Sequence, residues 1–317
     1  MKKALLHKMQ INNKSNFIMK EITVLMSTYN GEMFIKEQID SILNSKDVEL
    51  QLLVRDDGSS DETIPILKSY QTKKKLSFYQ GQNVRPAKSF MELLCKAPSS
   101  KYYAFSDQDD YWSQDKLSIA INCIKSYGKE PALYFCQTQL VDKDLNPMKN
   151  IYINPRLTFG EALTYQFIGG CTMVFNQSLR DIIIKYTPNY QPMHDVWIYS
   201  IAQAIGAHIF FDPQPHIWYR QHSHNAIGQG YSRFEEWKRR WKRLSNSEHE
   251  RLKRAKELKI GYYKMMSKEN KAILDKAILS GEGNLWQRII ASSDKRLKCS
   301  SKTTYVLFRL SAIFKTF

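Results

Sequence analysis

Tyr102-Tyr103-Ala104-Phe105-Ser106-Asp107-Gln108-Asp109-Asp110 passes without a break from a β-prone run to three carboxylates in four positions. A second stretch repeats the design: Leu50–Arg55 reads as a strand and runs into Asp56-Asp57-Gly58-Ser59-Ser60-Asp61. Working outward, Ile22–Ser27 reads as a first buried strand. Phe34, Ile35, Ile39, Ile42 and Leu43 then fall at helical spacing. Ser60 or Asp61 is placed to cap the next helix, with Pro65 in its first turns. A strand at Leu76–Tyr79, a helix at Ala87–Lys96, a helix at Asp115–Tyr127 and a strand at Ala132–Gln137 complete the alternation. This order predicts an α/β fold with a mostly parallel sheet flanked by helices on both faces. Ligands of such sheets bind outside the carboxyl ends of the strands, where both acidic clusters fall.

After residue 150 the pattern loosens. Gly169-Gly170-Cys171 opens a strand at Thr172–Phe175, His194–Gly206 reads as a helix, and short strands are expected at 208–211 and 216–220. From residue 231 the chain reads as helical and basic, with no internal repeat.

Composition excludes several classes. With 43% hydrophobic and 12% aromatic residues among 317, the chain can build a core and is not disordered as a whole. No apolar run approaches the roughly 18 residues that span a bilayer. The first twenty residues carry no apolar signal core, so a cytosolic location is expected. Five scattered cysteines without a CxxC pair argue against a zinc knuckle or a disulfide framework.

The net charge of +16 is concentrated at the ends. Residues 1–20 hold five Lys and no acid, and residues 231–317 hold 22 Lys and Arg against 9 Asp and Glu. Residues 21–230 carry 20 basic and 22 acidic residues. A near-neutral core with a basic tail suits a catalytic domain with a surface-binding extension. Nucleic acid and anionic lipid attract the same side chains, and a solvated helical face is the plainer alternative. In the tail, Phe234, Trp237, Trp241 and Leu244 form a helical stripe among Lys and Arg, which suits a membrane surface or a packed core face. Tyr305–Phe314 is apolar but too short to span. Nucleic acid as the partner is disfavoured, because acidic clusters at the strand ends repel phosphate unless loaded with metal.

The individual constellations each have two readings. Asp107, Asp109 and Asp110 suit Mg²⁺ or Mn²⁺ through oxygen ligands, or form an acidic turn that caps a helix. The carboxylate pair Asp56-Asp57 can accept from the imide N–H of a uracil or thymine ring, or belongs to a common Asp-Gly turn. Asp195 opens a helix as an N-cap or serves as a base. His222, in Tyr219-Arg220-Gln221-His222, is structural or functional.

Taken together, Ser27-Thr28-Tyr29-Asn30 after the first strand, Arg55-Asp56-Asp57-Gly58-Ser59-Ser60-Asp61, Phe105–Trp112, His194-Asp195 and Tyr219–His222 resemble glycosyltransferase family 2. The Ser106-Asp107-Gln108-Asp109-Asp110-Tyr111-Trp112 form is similar to that of bacterial cell-surface polysaccharide rhamnosyltransferases. The resemblance implies a GT-A, Rossmann-like catalytic domain over 21–230, between a basic arm (1–20) and a helical basic extension (231–317). It implies Thr28, Tyr29 and Asn30 at the nucleobase pocket, Asp57 on the base imide, Asp56 supporting the ribose side or the loop, and Lys88 near the donor. Asp107, Asp109 and His222 would hold Mg²⁺ or Mn²⁺, with Asp107 and Asp110 also on the donor side and Asp110 orienting the loop. Asp195 matches the catalytic base. The implied partners are a nucleotide-sugar, dTDP-rhamnose first and a UDP-sugar next, and a polyprenyl-diphosphate-linked glycan at the inner membrane surface. Related sequences read Asn-x-Gly where this chain has Asn83-Val84-Arg85, so Arg85 either alters the backbone there or adds a cation near the donor diphosphate.

Overall fold

The structure, a computed structural model, describes residues 21–150, 152–222 and 249–316. The basic arm 1–20 and the stripe Phe234, Trp237, Trp241 and Leu244 lie outside the described residues.

The strands are β1 (Glu21–Thr28), β2 (Glu49–Asp56), β3 (Ser77–Gln80), β4 (Tyr102–Ser106), β5 (Tyr111–Trp112), β6 (Ala132–Val141), β7 (Val174–Asn176) and β8 (His208–Arg220). They form one sheet in the order β3-β2-β1-β4-β7-β6-β8-β5. The half from β3 to β4 is parallel, as expected. β7 then runs antiparallel to both β4 and β6, and β5 runs antiparallel to β8, while β6 and β8 pair in parallel. Two reversals through β7 restore the original direction. The carboxyl ends of β6 and β8 therefore point the same way as those of β1, β2 and β4.

Helices α1 (Ile35–Leu43), α2 (Thr63–Thr72), α3 (Arg85–Lys96), α4 (Lys116–Ile124), α5 (Phe159–Thr164), α6 (Gln177–Ile183) and α7 (His194–Ile205) cover the sheet. The 2.0-residue period of β1 sends Val24 and Met26 to one face and Leu25 to the other. The first face is closed by Ile35, Ile39 and Ile42 of α1, Leu67 of α2, and Leu117 and Ile121 of α4. The second is closed by Phe90, Leu93 and Leu94 of α3 and by Trp197, Ile198 and Ile201 of α7. Burial on both faces is why β1 reads as a nearly continuous apolar run.

The C-terminal segment folds as α8 (Glu250–Tyr262), α9 (Lys268–Glu282), α10 (Leu285–Ser292) and α11 (Lys302–Ile313). Side chains of Ser267, Asn284 and Ser301 cap the last three, and Asn284 with Gln287 forms a capping box. These helices do not stand apart. Leu258 and Tyr262 of α8, Leu274 and Ala277 of α9 and Phe308 of α11 enter the same apolar cluster as Phe90, Phe105 and Trp197. Arg254 of α8 is 1% exposed and donates to the carbonyls of Ala162 and Leu163. At Gly160 of α5 an added Cβ would stand 1.8 Å from the Arg296 carbonyl oxygen. Gly160→Ala is therefore expected to cost about 1–3 kcal/mol through forced separation of α5 from the C-terminal helices. A urea midpoint equal to that of the parent protein would count against this packing.

Candidate functional site

Three parallel strands, β2, β1 and β4, end side by side, with Thr28 opposite Asp56 and Met26 opposite Ser106. Their loops are stitched together by side chains. Gln108 Oε1 accepts from Thr28 Oγ1 at 2.6 Å and from the Tyr29 amide at 2.8 Å, and its Nε2 donates to the Tyr29 carbonyl. A Cβ on Gly31 would stand 2.5 Å from Gln108 Oε1, so a larger residue there would displace the Gln108 amide from this seam. Asn30, with φ +49°, accepts from the Ser60 amide, and its own amide donates to Ser59 Oγ. Tyr29 is 48% exposed and presents its ring to solvent beside this seam.

Asp56 and Asp57 are both buried and differ in task. Asp56 turns into its own loop and accepts from the amides of Gly58 and Ser59 at 3.0 and 2.9 Å. Asp57 accepts from the buried Arg55 guanidinium and from the amides of Val84 and Arg85, both at 3.0 Å. Arg55 also donates to Glu92 and to the Gln82 carbonyl. Arg85 occupies the left-handed region at φ +68°, the conformation glycine adopts at least cost. Lys88, one turn further on, is exposed on α3.

The acidic cluster after β4 is electrostatically crowded. Burial and the nearby carboxylates of Asp109 and Asp195 push the Asp107 carboxyl up to about 7. Asp110 is fully buried, and burial with its two neighbours pushes it well above the ordinary range. Asp107, Asp110 and the Cys171 thiol can bring one ligand atom each within 4.8 Å of one another. Asp109 Oδ2 lies 2.9 Å from His222 Nε2. Arg220, at the end of β8, donates to the Asp109 carbonyl at 2.9 Å and to Glu37 of α1. Its guanidinium lies 4.5 Å over the Phe34 ring.

Asp195 arrives at the same edge on the first turn of α7, 8% exposed. It accepts from the Val196 amide at 2.6 Å, and burial raises its carboxyl to about 6. Arg254, reaching in from α8, pulls the other way. The preceding His194 is stacked on Phe90 at 4.0 Å and is held neutral by burial, which lowers it to about 3. Gly170 leaves room for that ring, since a Cβ there would meet His194 Nε2 at 2.2 Å. Of the residues singled out in the sequence, Asp107, Asp109, Asp195 and His222 thus converge on one edge, with Thr28, Tyr29, Asn30 and Asp57 on the adjoining loops. Asp56 and Asp110 face inward.

A family model, Glycosyl transferase family 2, matches residues 23–183, which contain both acidic clusters. The chain belongs to glycosyltransferase family 2. A dTDP-rhamnosyl transferase, RfbG, of Shigella flexneri is 30% identical over 299 residues, which are 86% of this chain and 94% of the relative. Among solved structures, TarS of S. aureus in complex with UDP-GlcNAc aligns with a TM-score of 0.59 at 17% identity, covering 93% of this chain and 89% of that one. The mannosyltransferase PcManGT of Pyrobaculum calidifontis, in complex with GDP-Man and Mn²⁺, aligns with a TM-score of 0.50 at 17% identity, covering 95% and 82%. The fold is GT-A.

Sequence reasoning about the family 2 motifs overlooked three side chains that organise this edge. Gln108 sits inside the acidic motif, where the neighbouring carboxylates drew the attention. Arg55 lies within a strand pattern, and only its charge in an apolar run (1% exposed in the fold) could have signalled it. Arg220 lies in the Tyr219–His222 motif, whose pattern gives no sign of its contacts to the Asp109 carbonyl and Glu37.

Carboxylate oxygens suit Mg²⁺ or Mn²⁺, and such a cation would relieve the repulsion between Asp107 and Asp109. Among the described residues, the ligand atoms brought within 4.8 Å of one another are those of Asp107, Asp110 and Cys171. A raised carboxyl means that the folded state holds the Asp107 proton from about pH 4 up to about 7, where the unfolded chain has released it. This group therefore favours folding less as pH rises through that window. Asp107→Asn is expected to flatten this part of the fall in Tm between pH 5 and 8, and Mn²⁺ is expected to raise the parent Tm more at pH 8 than at pH 5. Parallel pH profiles for the two proteins would contradict the assignment.

Proposed function

We propose that this family 2 enzyme moves a sugar, rhamnose from dTDP-rhamnose in the first instance, to a hydroxyl of a growing polysaccharide on a lipid carrier. The reaction proceeds with inversion at the anomeric carbon. The observation that carries the reading is the Asp195 carboxyl, raised to about 6 and within electrostatic reach of Asp107 at the strand-end edge. A base in that range is ionised at neutral pH and still takes up a proton readily. The choice of rhamnose rests on the 30% identical relative.

Thr28, Tyr29 and Asn30 line the base pocket, with the exposed Tyr29 ring available for stacking. Asp57 is held by Arg55 and two backbone amides, an arrangement that supports its facing the base imide in a fixed orientation. Asp56, spent on its own loop, supports the ribose side through that loop. Lys88 faces the diphosphate. Asp107, Asp109 and His222 would hold Mg²⁺ or Mn²⁺, with Asp110 orienting the loop from within. The cation, when bound, offsets charge on the departing nucleoside diphosphate. Asp195 takes the acceptor hydroxyl proton as the oxygen bonds to the anomeric carbon, and the bond to the diphosphate breaks with its electron pair leaving on the phosphate oxygen. The division of labour follows the chain: 21–230 carry out transfer, and 231–317 bring the enzyme to the inner face of the membrane as a peripheral protein.

A thermal-shift screen of dTDP-rhamnose, UDP-glucose, UDP-galactose and UDP-N-acetylhexosamines, each with Mn²⁺, tests the donor. The largest stabilisation is expected with dTDP-rhamnose. A clear preference for a UDP-sugar would move the reading to a galactosyl, glucosyl or N-acetylhexosaminyl transferase. Stabilisation by none of them would remove the reading.

A further inference from the structure

The last two helices carry an apolar face that the other described residues leave exposed. On α10 Trp286 is 73% exposed and Ile290, one turn on, 65%, with Leu285 beside them. Val306 and Leu310 of α11 and Phe314 at its C-cap are exposed at i, i+4 and i+8, so they follow one stripe. The two helices are joined: Tyr305 donates to the Ser292 carbonyl and Arg309 Nη2 to Ser293 Oγ at 2.9 Å. Single exposed apolar side chains are ordinary, but six on two adjoining helices mark an interaction surface.

The charge along this segment is mainly positive. Residues 283–316 contain seven Lys and Arg and a single acid, Asp294, which is paired with Arg296. Lys295, Lys298, Lys302 and Lys315 are exposed. Among the described residues no helix is long and apolar enough to cross a membrane. Apolar tips with a Trp, set among lysines on short helices, have the composition of a surface that lies in the headgroup layer.

We infer that the joined face of α10 and α11 is a docking surface for an anionic lipid bilayer, with Trp286, Ile290, Val306, Leu310 and Phe314 entering the headgroup boundary. A second copy of the chain is a poorer occupant, because the face would meet its own positive charge. Nucleic acid would satisfy the lysines and leave the apolar tips in water. The inference deepens the lipid-linked reading of the acceptor, and rests on that reading only for the use to which docking is put.

Flotation of the full chain with vesicles of phosphatidylglycerol and phosphatidylethanolamine tests it, with phosphatidylcholine vesicles as the uncharged arm. The parent protein is expected to float with the anionic vesicles and to bind the uncharged ones on the order of tenfold more weakly. Trp286→Ser with Phe314→Ser, and separately Lys298→Glu with Lys302→Glu, are each expected to weaken anionic binding on the order of tenfold or more. All four positions are exposed, so Tm and its rise with nucleotide-sugar and Mn²⁺ should match the parent. Equal flotation of parent and both variants, equal binding to both kinds of vesicle, or loss confined to a Trp237→Ser and Trp241→Ser variant would overturn the inference. So would a parent dimer in sedimentation that Trp286→Ser with Phe314→Ser converts to monomer. Loss of flotation with an intact nucleotide response isolates the docking face from the transfer reading.

Discussion

Asp195→Asn is expected to lower the turnover of sugar transfer by about 10²–10⁴ while leaving donor binding in place. The amide keeps the shape of the carboxylate and still accepts from the Val196 N–H, so the first turn of α7 should not rearrange. What is lost is the ability to receive the acceptor proton. The substitution also removes one of the two negative charges that raise Asp107, and the same field attracts a cation, so a modest loss of Mn²⁺ affinity is expected beside the fall in turnover. A fall in turnover at saturating Mn²⁺ and donor would separate a base from a residue that merely shapes the site. In the parent enzyme turnover should decline as pH falls below about 6, where Asp195 becomes protonated and cannot accept. Undiminished transfer by Asp195→Asn would dismiss the base assignment.

Asp109→Ala is expected to abolish cation-dependent donor binding. Its carboxylate is near enough to raise Asp107 and lies 2.9 Å from His222 Nε2, so its loss is expected to remove a proposed ligand and that imidazole contact together. Removal of a supporting partner alone weakens metal sites by about 10–100-fold, so a larger loss is the mark of a direct ligand. The backbone should survive, because Arg220 is bound to the Asp109 carbonyl rather than to its side chain. Calorimetry with a nucleotide-sugar, with and without Mn²⁺, reads the difference. A variant that still gains donor affinity from Mn²⁺ would place the cation elsewhere.

The parallel half of the sheet was legible because Ile22–Ser27 and Leu50–Arg55 are long enough to show burial and end on punctuating acids. The antiparallel turn of the sheet was not. β7 has three residues, too few for any period to appear, and β5 has two. β8 reads as two short strands because Pro213 and Pro215 interrupt it, yet it continues through irregular pairing with β6 at Cys136 and Gln137. At α2 the expected caps also shift: the helix begins at Thr63, and Asp61 accepts from the Thr63 amide just outside it. At the site, carboxylates announce themselves through mutual repulsion. Gln108 and Arg55 act through partners about 80 and 37 residues away, and no local pattern encodes those contacts. Charge marks the tail as a basic extension but does not encode which apolar positions it shares with α3 and α7.

That sharing governs how the enzyme can be dissected. Cutting the chain after β8 would strip Leu258, Tyr262, Leu274 and Phe308 from around Trp197, and would take away the guanidinium that tempers Asp195. The shortened product is expected to lose stability along with the wall of the site. The tail and the sheet have to be probed one side chain at a time, and any domain swap between relatives must carry the last four helices along with the sheet they complete.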